Sequence, residues 1–252
     1  MKVLIVSAHP EPSSLTNALR NVAISQLEAD GHEVRVSDLY AMNFQPCVVR
    51  EDFPALAEGE PLRPTVASMQ ASATSAFTQD VLDEQEKVLW ADAVIFAFPL
   101  WWFSVPAIMK GWIDRVWTAG IGYQLSGERY GAGRMSGKRA MIMVMIGGRE
   151  TYFSAGGVNG PIDDLLFPIT HGMLYYPGFA VLPSLLVYRT HHLDGRYDEV
   201  CDEVRGRMRD LFTTPPIPFR AQAGGDFDEQ LGELKPEIAP ATPQGFAPLY
   251  KP

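Results

Sequence analysis

The chain has 252 residues, 46% hydrophobic and 20% charged, enough for one sizeable core with an appendage. Its formal net charge of −9, with no basic run, excludes broad attraction to nucleic acid or to an anionic membrane surface. No run of about 18 apolar residues occurs, so no membrane insertion is expected, and Cys47 and Cys201 match no metal-ligand spacing and read as reduced or buried thiols of a cytoplasmic protein.

The chain opens on an apolar stretch too short for the core of a signal peptide. Lys2–Ser7 instead has the β-branched, apolar character of a strand covered on both faces. The loop Ala8–Ser14 carries Pro12, Ser13 and Ser14, which suit a helix start. Leu15, Leu19, Val22, Ala23 and Leu27 then recur at helical spacing until Gly31 ends the helix. With His32–Val36 as a second strand, this is a β-α-β unit and implies a parallel sheet. Residues 40–78, with Pro46, Pro54, Pro61 and Pro64, read as an irregular surface excursion.

Gln79–Trp90 is predicted as an amphipathic helix, Ala93–Ala97 as a buried strand and Val105–Trp117 as a helix with Pro106 in its first turn. Arg139–Ile146 is the next strand, followed by a glycine-rich stretch, Gly147–Gly160, and a helix around Asp163–Gly172. Ala180–Val187 is the last strand and Tyr197–Phe212 the last helix. Five strands alternating with helices predict an α/β, doubly wound parallel sheet over residues 1–212. Eight prolines punctuate residues 213–252, which form an irregular, Pro-rich arm. Its Phe219, Phe227, Leu231, Leu234 and Phe246 suit docking, and the preferred surface is that of a dimer partner.

Ligands of such a sheet bind beyond the carboxyl ends of the strands, so three loops are expected to carry the chemistry. The first opens a helix, whose free N–H groups and dipole suit a phosphate, with His9, Ser13, Ser14 and Thr16 as further donors. No G-x-G-x-x-G or P-loop motif occurs. The second, Phe98–Pro99–Leu100–Trp101–Trp102–Phe103, places large aromatics at a strand exit, where they make a flat apolar wall fit for a flavin ring. In the third, Gly147 and Gly148 let backbone donors approach a ring closely and stabilise the anion formed on its reduction. His171, His191 and His192 show no metal-ligand pattern and read as solvated or helix-end residues. Asp163–Asp164 read as helix-start carboxylates.

Several segments closely resemble the NAD(P)H:quinone oxidoreductase family, also called DT-diaphorase. They are Ser37–Phe44, Phe98-Pro-Leu-Trp-Trp-Phe-Ser-Val-Pro-Ala-Ile-Met-Lys-Gly-Trp112, Asp114-Arg115-Val116, Ala8-His9 and Gly147-Gly148. The resemblance runs from residue 1 to about 212, and Pro218-Phe-Arg-Ala-Gln222 looks like the tail of bacterial members. It implies a flavodoxin-like fold, bound FAD (FMN as the alternative) and a homodimer with sites at the interface. It also implies a ping-pong cycle, with NADPH or NADH as hydride donor and a quinone-like acceptor. By position, His9, Leu15 and Thr16 would line the FAD phosphates. Leu100, Trp101, Trp102, Phe103, Gly147 and Gly148 would hold the isoalloxazine, and Arg196 would lie near the adenosine. Tyr123 and Phe179 would close the substrate pocket from the other subunit.

Two departures stand out. Phe153 and Asn159 occupy the positions of the family's tyrosine–histidine relay, and neither titrates. Charge stabilisation is then expected from the Gly148 backbone, with the neighbouring Tyr152 as the one possible side-chain substitute. Leu125 stands where the family has a second pocket tyrosine, so acceptor preference is expected to differ. An azo or nitro reductase, and a soluble regulatory subunit of a potassium-efflux-type membrane protein, are the competing functions.

Overall fold

The computed structural model describes residues 1–123, 127–193, 195–240 and 245–251. β1 (Lys2–Ser7) lies between β2 (Glu33–Asp38) and β3 (Ala93–Pro99), and β3 pairs with β4 (Arg139–Ile146). Beyond β4 lie β5 (Ala180–Val181) and β6 (Leu185–Tyr188), and every pairing is parallel. The order β2-β1-β3-β4-β5 is that expected of a doubly wound sheet. The predicted last strand is split in two. Pro183 has no N–H to give to a ladder, so pairing with β4 stops after Leu182 bonds to Ala140 and resumes at Leu185.

Side chains alternate between the two faces of the sheet. Leu4, Val6, Phe96, Phe98, Ile142 and Val144 face α3 (Gln79–Trp90), α4 (Ala107–Val116) and α5 (Ile162–Phe167). Val3, Ile5, Ile95, Met141 and Met143 face α1 (Leu15–Ala29) and α6 (Tyr197–Arg209). Full burial of such side chains stabilises the fold by roughly 1.5–3 kcal/mol each.

The excursion is more ordered than its prolines suggest. Pro64 starts α2 (Pro64–Thr74), since a proline at the first helical position loses no hydrogen bond. The segment is fastened through Arg115 of α4. Its buried guanidinium donates to Asp52 Oδ1 at 2.6 Å, to Asp80 Oδ2 at 2.7 Å and to the Gln45 carbonyl at 2.8 Å, and lies 4.9 Å from the Phe44 ring. Gly111 lets Pro46 of the excursion seat on α4, because a Cβ there would lie 2.1 Å from the Pro46 carbonyl oxygen.

The arm returns to its own domain at both ends. Phe219 is buried in the core and bridges to Tyr250. Phe246 stacks on Phe167 at 4.0 Å and 6°, Phe167 on His171 at 4.5 Å and 14°, and His171 on Tyr130 at 4.8 Å and 29°. His171 is therefore a half-buried, stacked residue inside the helical run and not a helix-end one. Burial pushes its imidazole down to about 4. The segment Pro168–Tyr175, which carries it, continues α5 as a π-helix. No helix among the described residues is long and apolar enough to cross a membrane.

Candidate active site at the carboxyl edge of the sheet

The loops that leave β1 and β3 meet where the chain's crossovers change direction, and that of β4 lies beside them. Ala8 N–H donates to the Ala97 carbonyl at 3.1 Å, and Leu100 N–H to the Met145 carbonyl at 2.8 Å, so backbone bonds join them. They enclose one cleft of about 520 Å³. Its phosphate-sized end is lined by His9, Leu15 and Thr16, its wall by Pro99, Leu100, Trp101, Trp102 and Phe103, and its far end by Gly147, Gly148, Phe153 and Asn159.

At the first end, α1 begins at Ser14, whose Oγ accepts from Asn17 N–H. Leu15 and Thr16, in the first turn, retain the N–H groups that no helical carbonyl reaches. No acidic residue stands in that turn, so the positive end of the helix dipole is not neutralised there. Ser13 is drawn away from the expected donor role, since its hydroxyl and N–H both bond to Glu11, which lowers the Glu11 carboxyl below its ordinary range. His9 Nδ1 accepts from Glu11 N–H at 3.1 Å, which places the ring proton on Nε2.

The wall is a tight, strained turn. Trp101 and Ser104 exchange two backbone hydrogen bonds, 3.1 and 3.0 Å. The two residues between them, Trp102 (φ 51°) and Phe103 (φ 61°), are both left-handed. Bulky side chains rarely adopt that conformation, and such strain gathers at functional sites. The turn turns its aromatics outward: Trp102 is 95% exposed, Phe103 47% and Trp101 40%. Among the described residues, the N–H groups of Trp102, Phe103 and Gly148 have no hydrogen-bond partner.

Among the described residues no carboxylate lines the cleft, although the chain is acidic overall. Free N–H groups at a helix start, a flat aromatic wall and free N–H groups at the far end together fit a flavin nucleotide: phosphate at the first, ring along the second, polar ring edge at the third. Among the described residues no cluster of His, Cys, Asp or Glu could hold a metal.

Several expected site residues stand elsewhere. Phe179 is not at a pocket surface. It is fully buried and stacked on Trp117 at 6.1 Å, because it follows the Gly178 turn directly into the core. Tyr123 lines a separate small cavity beside Arg115 and Trp117. Arg196 caps α6 and pairs with Glu199 at 2.9 Å. Tyr152 is 46% exposed and does not line the cleft, while Phe153 turns in and packs on Tyr188. Leu125 lies outside the described residues. The sequence reading missed four lining residues, Met145, Ile146, Thr190 and His191. The first two close the end of β4. Thr190 and His191 belong to a fourth loop at this edge, the one leaving β6, and their place after a strand was the available signal.

Residues 1–211 match a family model described as flavodoxin-like fold. The chain is 52% identical over 234 residues (90% of this chain, 87% of the relative) to a ribosyldihydronicotinamide dehydrogenase-like protein of Penicillium crustosum. It is 37% identical over 241 residues (94% and 87%) to NAD(P)H dehydrogenase [quinone] 1 of Cavia porcellus. A solved structure from Klebsiella pneumoniae, provisionally assigned as a quinone reductase, superposes with a TM-score of 0.94 at 51% identity, covering all of both chains. With its sheet order, its cleft and these relatives, the chain belongs to the flavodoxin-like NAD(P)H:quinone oxidoreductases.

Proposed function

We propose that the protein is an FAD-dependent reductase that takes a hydride from a reduced nicotinamide and passes two electrons to a quinone-like acceptor in a ping-pong cycle. The observation that carries this reading is the cleft itself, with helix-start N–H groups at one end, the exposed Trp101–Phe103 wall and unpartnered backbone donors at the other. A bound flavin supplies a ring that accepts and returns a hydride. The Leu15 and Thr16 N–H groups and the Thr16 hydroxyl bind its phosphates. Trp101 and Trp102 hold the ring against water, and the N–H groups of Trp102, Phe103 and Gly148 orient its polar edge and favour the charge that reduction places there. Asn159 and Phe153 shape this end without exchanging protons.

The reading includes a homodimer. Trp102 and Val158, 84% exposed, leave apolar surface at the mouth of the cleft that a second copy would cover, with Tyr123 and the exposed middle of the arm around Leu231 contributed from across the interface. The names of the Penicillium crustosum relative and of a Pongo abelii relative, 46% identical over 182 residues, favour a second reading of the donor, a dihydronicotinamide riboside in place of NAD(P)H.

The test is the mass of the cofactor released on denaturation, followed by anaerobic stopped flow of the holoenzyme. NADH, NADPH and dihydronicotinamide riboside are each offered as reductant and a benzoquinone as oxidant. Release of FAD, bleaching by one of these donors and recovery with quinone are expected. A protein that takes up no flavin, or whose reduced flavin does not react with quinone, contradicts the proposal.

A further inference from the structure

Hydride transfer to a quinone leaves the acceptor one proton short. The hydride brings two electrons and one proton, and the second oxygen becomes a hydroxyl only if a proton arrives from elsewhere. The residues at the Gly148 end of the cleft that face the wall, Phe153 and Asn159, hold no exchangeable acid. Among the described residues that line the cleft, the imidazoles of His9 and His191 are the only side chains fit to act as a general acid. His9 is at the α1 end, 6.1 Å from Trp101, with Nδ1 engaged by Glu11.

His191 is at the other end, and the backbone holds it there. Arg189 N–H donates to the Gly148 carbonyl at 3.0 Å and Thr190 N–H to the Ile146 carbonyl at 3.2 Å, so the loop leaving β6 is tied to the Gly147–Gly148 turn on both sides of Gly147. Arg189 sits in the left-handed region (φ 58°), and His192 N–H closes the turn on its carbonyl at 2.8 Å. This strained turn lays the His191 ring over Gly147. A Cβ built on Gly147 would stand 3.1 Å from both Cδ2 and Nε2, so the glycine makes room for the imidazole as well as for a ligand. The ring is also exposed, which lets water restore its proton.

We propose that His191 is the proton donor for acceptor reduction, which rests on the reading of this cleft as a flavin and quinone site. In the step, the hydride that the nicotinamide left on the bound flavin would break its bond there, the flavin being reoxidised by two electrons, and form the new bond to the quinone with its electron pair. The Nε2–H bond of the imidazolium breaks and the proton forms the O–H bond at the quinone oxygen. The products are the hydroquinone and neutral His191, which takes a proton from water before the next turnover.

The test separates the half-reactions of the flavin-loaded enzyme by stopped flow in wild type, His191→Gln and, as a control, His192→Gln. His191→Gln is expected to slow reoxidation by benzoquinone at least tenfold, within the range for loss of a general acid, while reduction by the nicotinamide and flavin retention stay within twofold. The second readout is the imidazole Cε1–H resonance of ¹³C-histidine-labelled wild type, assigned by its loss in His191→Gln and expected to move when benzoquinone is added to the oxidised holoenzyme. Reoxidation of His191→Gln at the wild-type rate overturns the proposal, as does equal slowing of both half-reactions, which would make His191 a flavin-holding residue. A His191 resonance indifferent to quinone also overturns it, and His191→Asn supplies the assignment should His191→Gln fail to fold. If wild-type reduced flavin itself fails to react with quinone, the cleft reading fails first and the proposal with it.

Discussion

Arg115→Met removes the buried charge that fastens the excursion to α4. Arg115 and Asp52 are nearly inaccessible, and Asp52 receives both Nε, at 3.2 Å, and Nη2, at 2.6 Å. Methionine fills much of the same volume, so the loss is mainly electrostatic: a buried carboxylate remains with its paired donor gone. Breaking such a pair on one side costs about 3–5 kcal/mol. The more exposed Asp80 partner adds little, because water screens it once released. At this chain length 1 kcal/mol corresponds to about 2–4 °C in Tm, so a drop of about 10 °C is expected by calorimetry, with a lower urea midpoint. The double variant Arg115→Met, Asp52→Asn removes the orphaned charge and is expected to recover at least about 1 kcal/mol. A single variant within about 1 kcal/mol of wild type would refute the assignment of Arg115 as the anchor.

His171 gives the fold an acid-sensitive element. Its imidazole sits near 4 when folded against 6.5 unfolded. The unfolded chain therefore binds the extra proton between these values, so this contribution is complete above about pH 6.5 and is lost as pH falls toward 4. The shift sets a ceiling of about 3 kcal/mol, and residual solvent access reduces it to about 1–2 kcal/mol. Urea titrations at pH 7 and pH 5 read the change, and His171→Phe is expected to flatten it; an unchanged slope would show that the stacked histidine does not titrate in this way. Trp102→Ala, at a nearly fully exposed side chain, is expected to leave Tm almost unchanged while weakening flavin affinity about tenfold, about 1.4 kcal/mol, by fluorescence titration of the apoprotein. Equal affinity would mean that Trp102 does not face the ring. Tyr152→Phe is expected to keep flavin reduction by NADPH within twofold in stopped flow, because the tyrosine does not line the cleft; abolished reduction would show that Tyr152 and not the Gly148 backbone carries the charge.

The sheet was legible because its central strands are continuous apolar runs. Lys2–Ser7 and Arg139–Ile146 appear with the boundaries their residues suggest. The wall Pro99–Phe103 was legible for the opposite reason, as aromatics placed where burial does not need them. Prolines misled twice: Pro64 begins a helix inside the excursion, and Pro183 divides a strand without ending the pairing. His171 and Phe179 escaped because their surroundings are made by distant segments, Tyr130 and Phe219 for one and Trp117 for the other. His191 escaped because the turn that holds it depends on hydrogen bonds to Ile146 and Gly148, more than forty residues earlier in the chain. Tyr152 and Phe153 show the limit of reading by position, since neighbours one residue apart point to solvent and to the cleft.

The central claim is that the cleft bounded by Thr16, Trp102 and Gly148 binds a flavin that carries electrons from a nicotinamide to a quinone. The visible spectrum of the purified protein, supplied with FAD, tests it most directly under anaerobic conditions. The account predicts a yellow protein whose flavin bands bleach with reduced nicotinamide and return on addition of quinone. A colourless protein that retains no flavin, or a bleached one that quinone leaves unchanged, would contradict it.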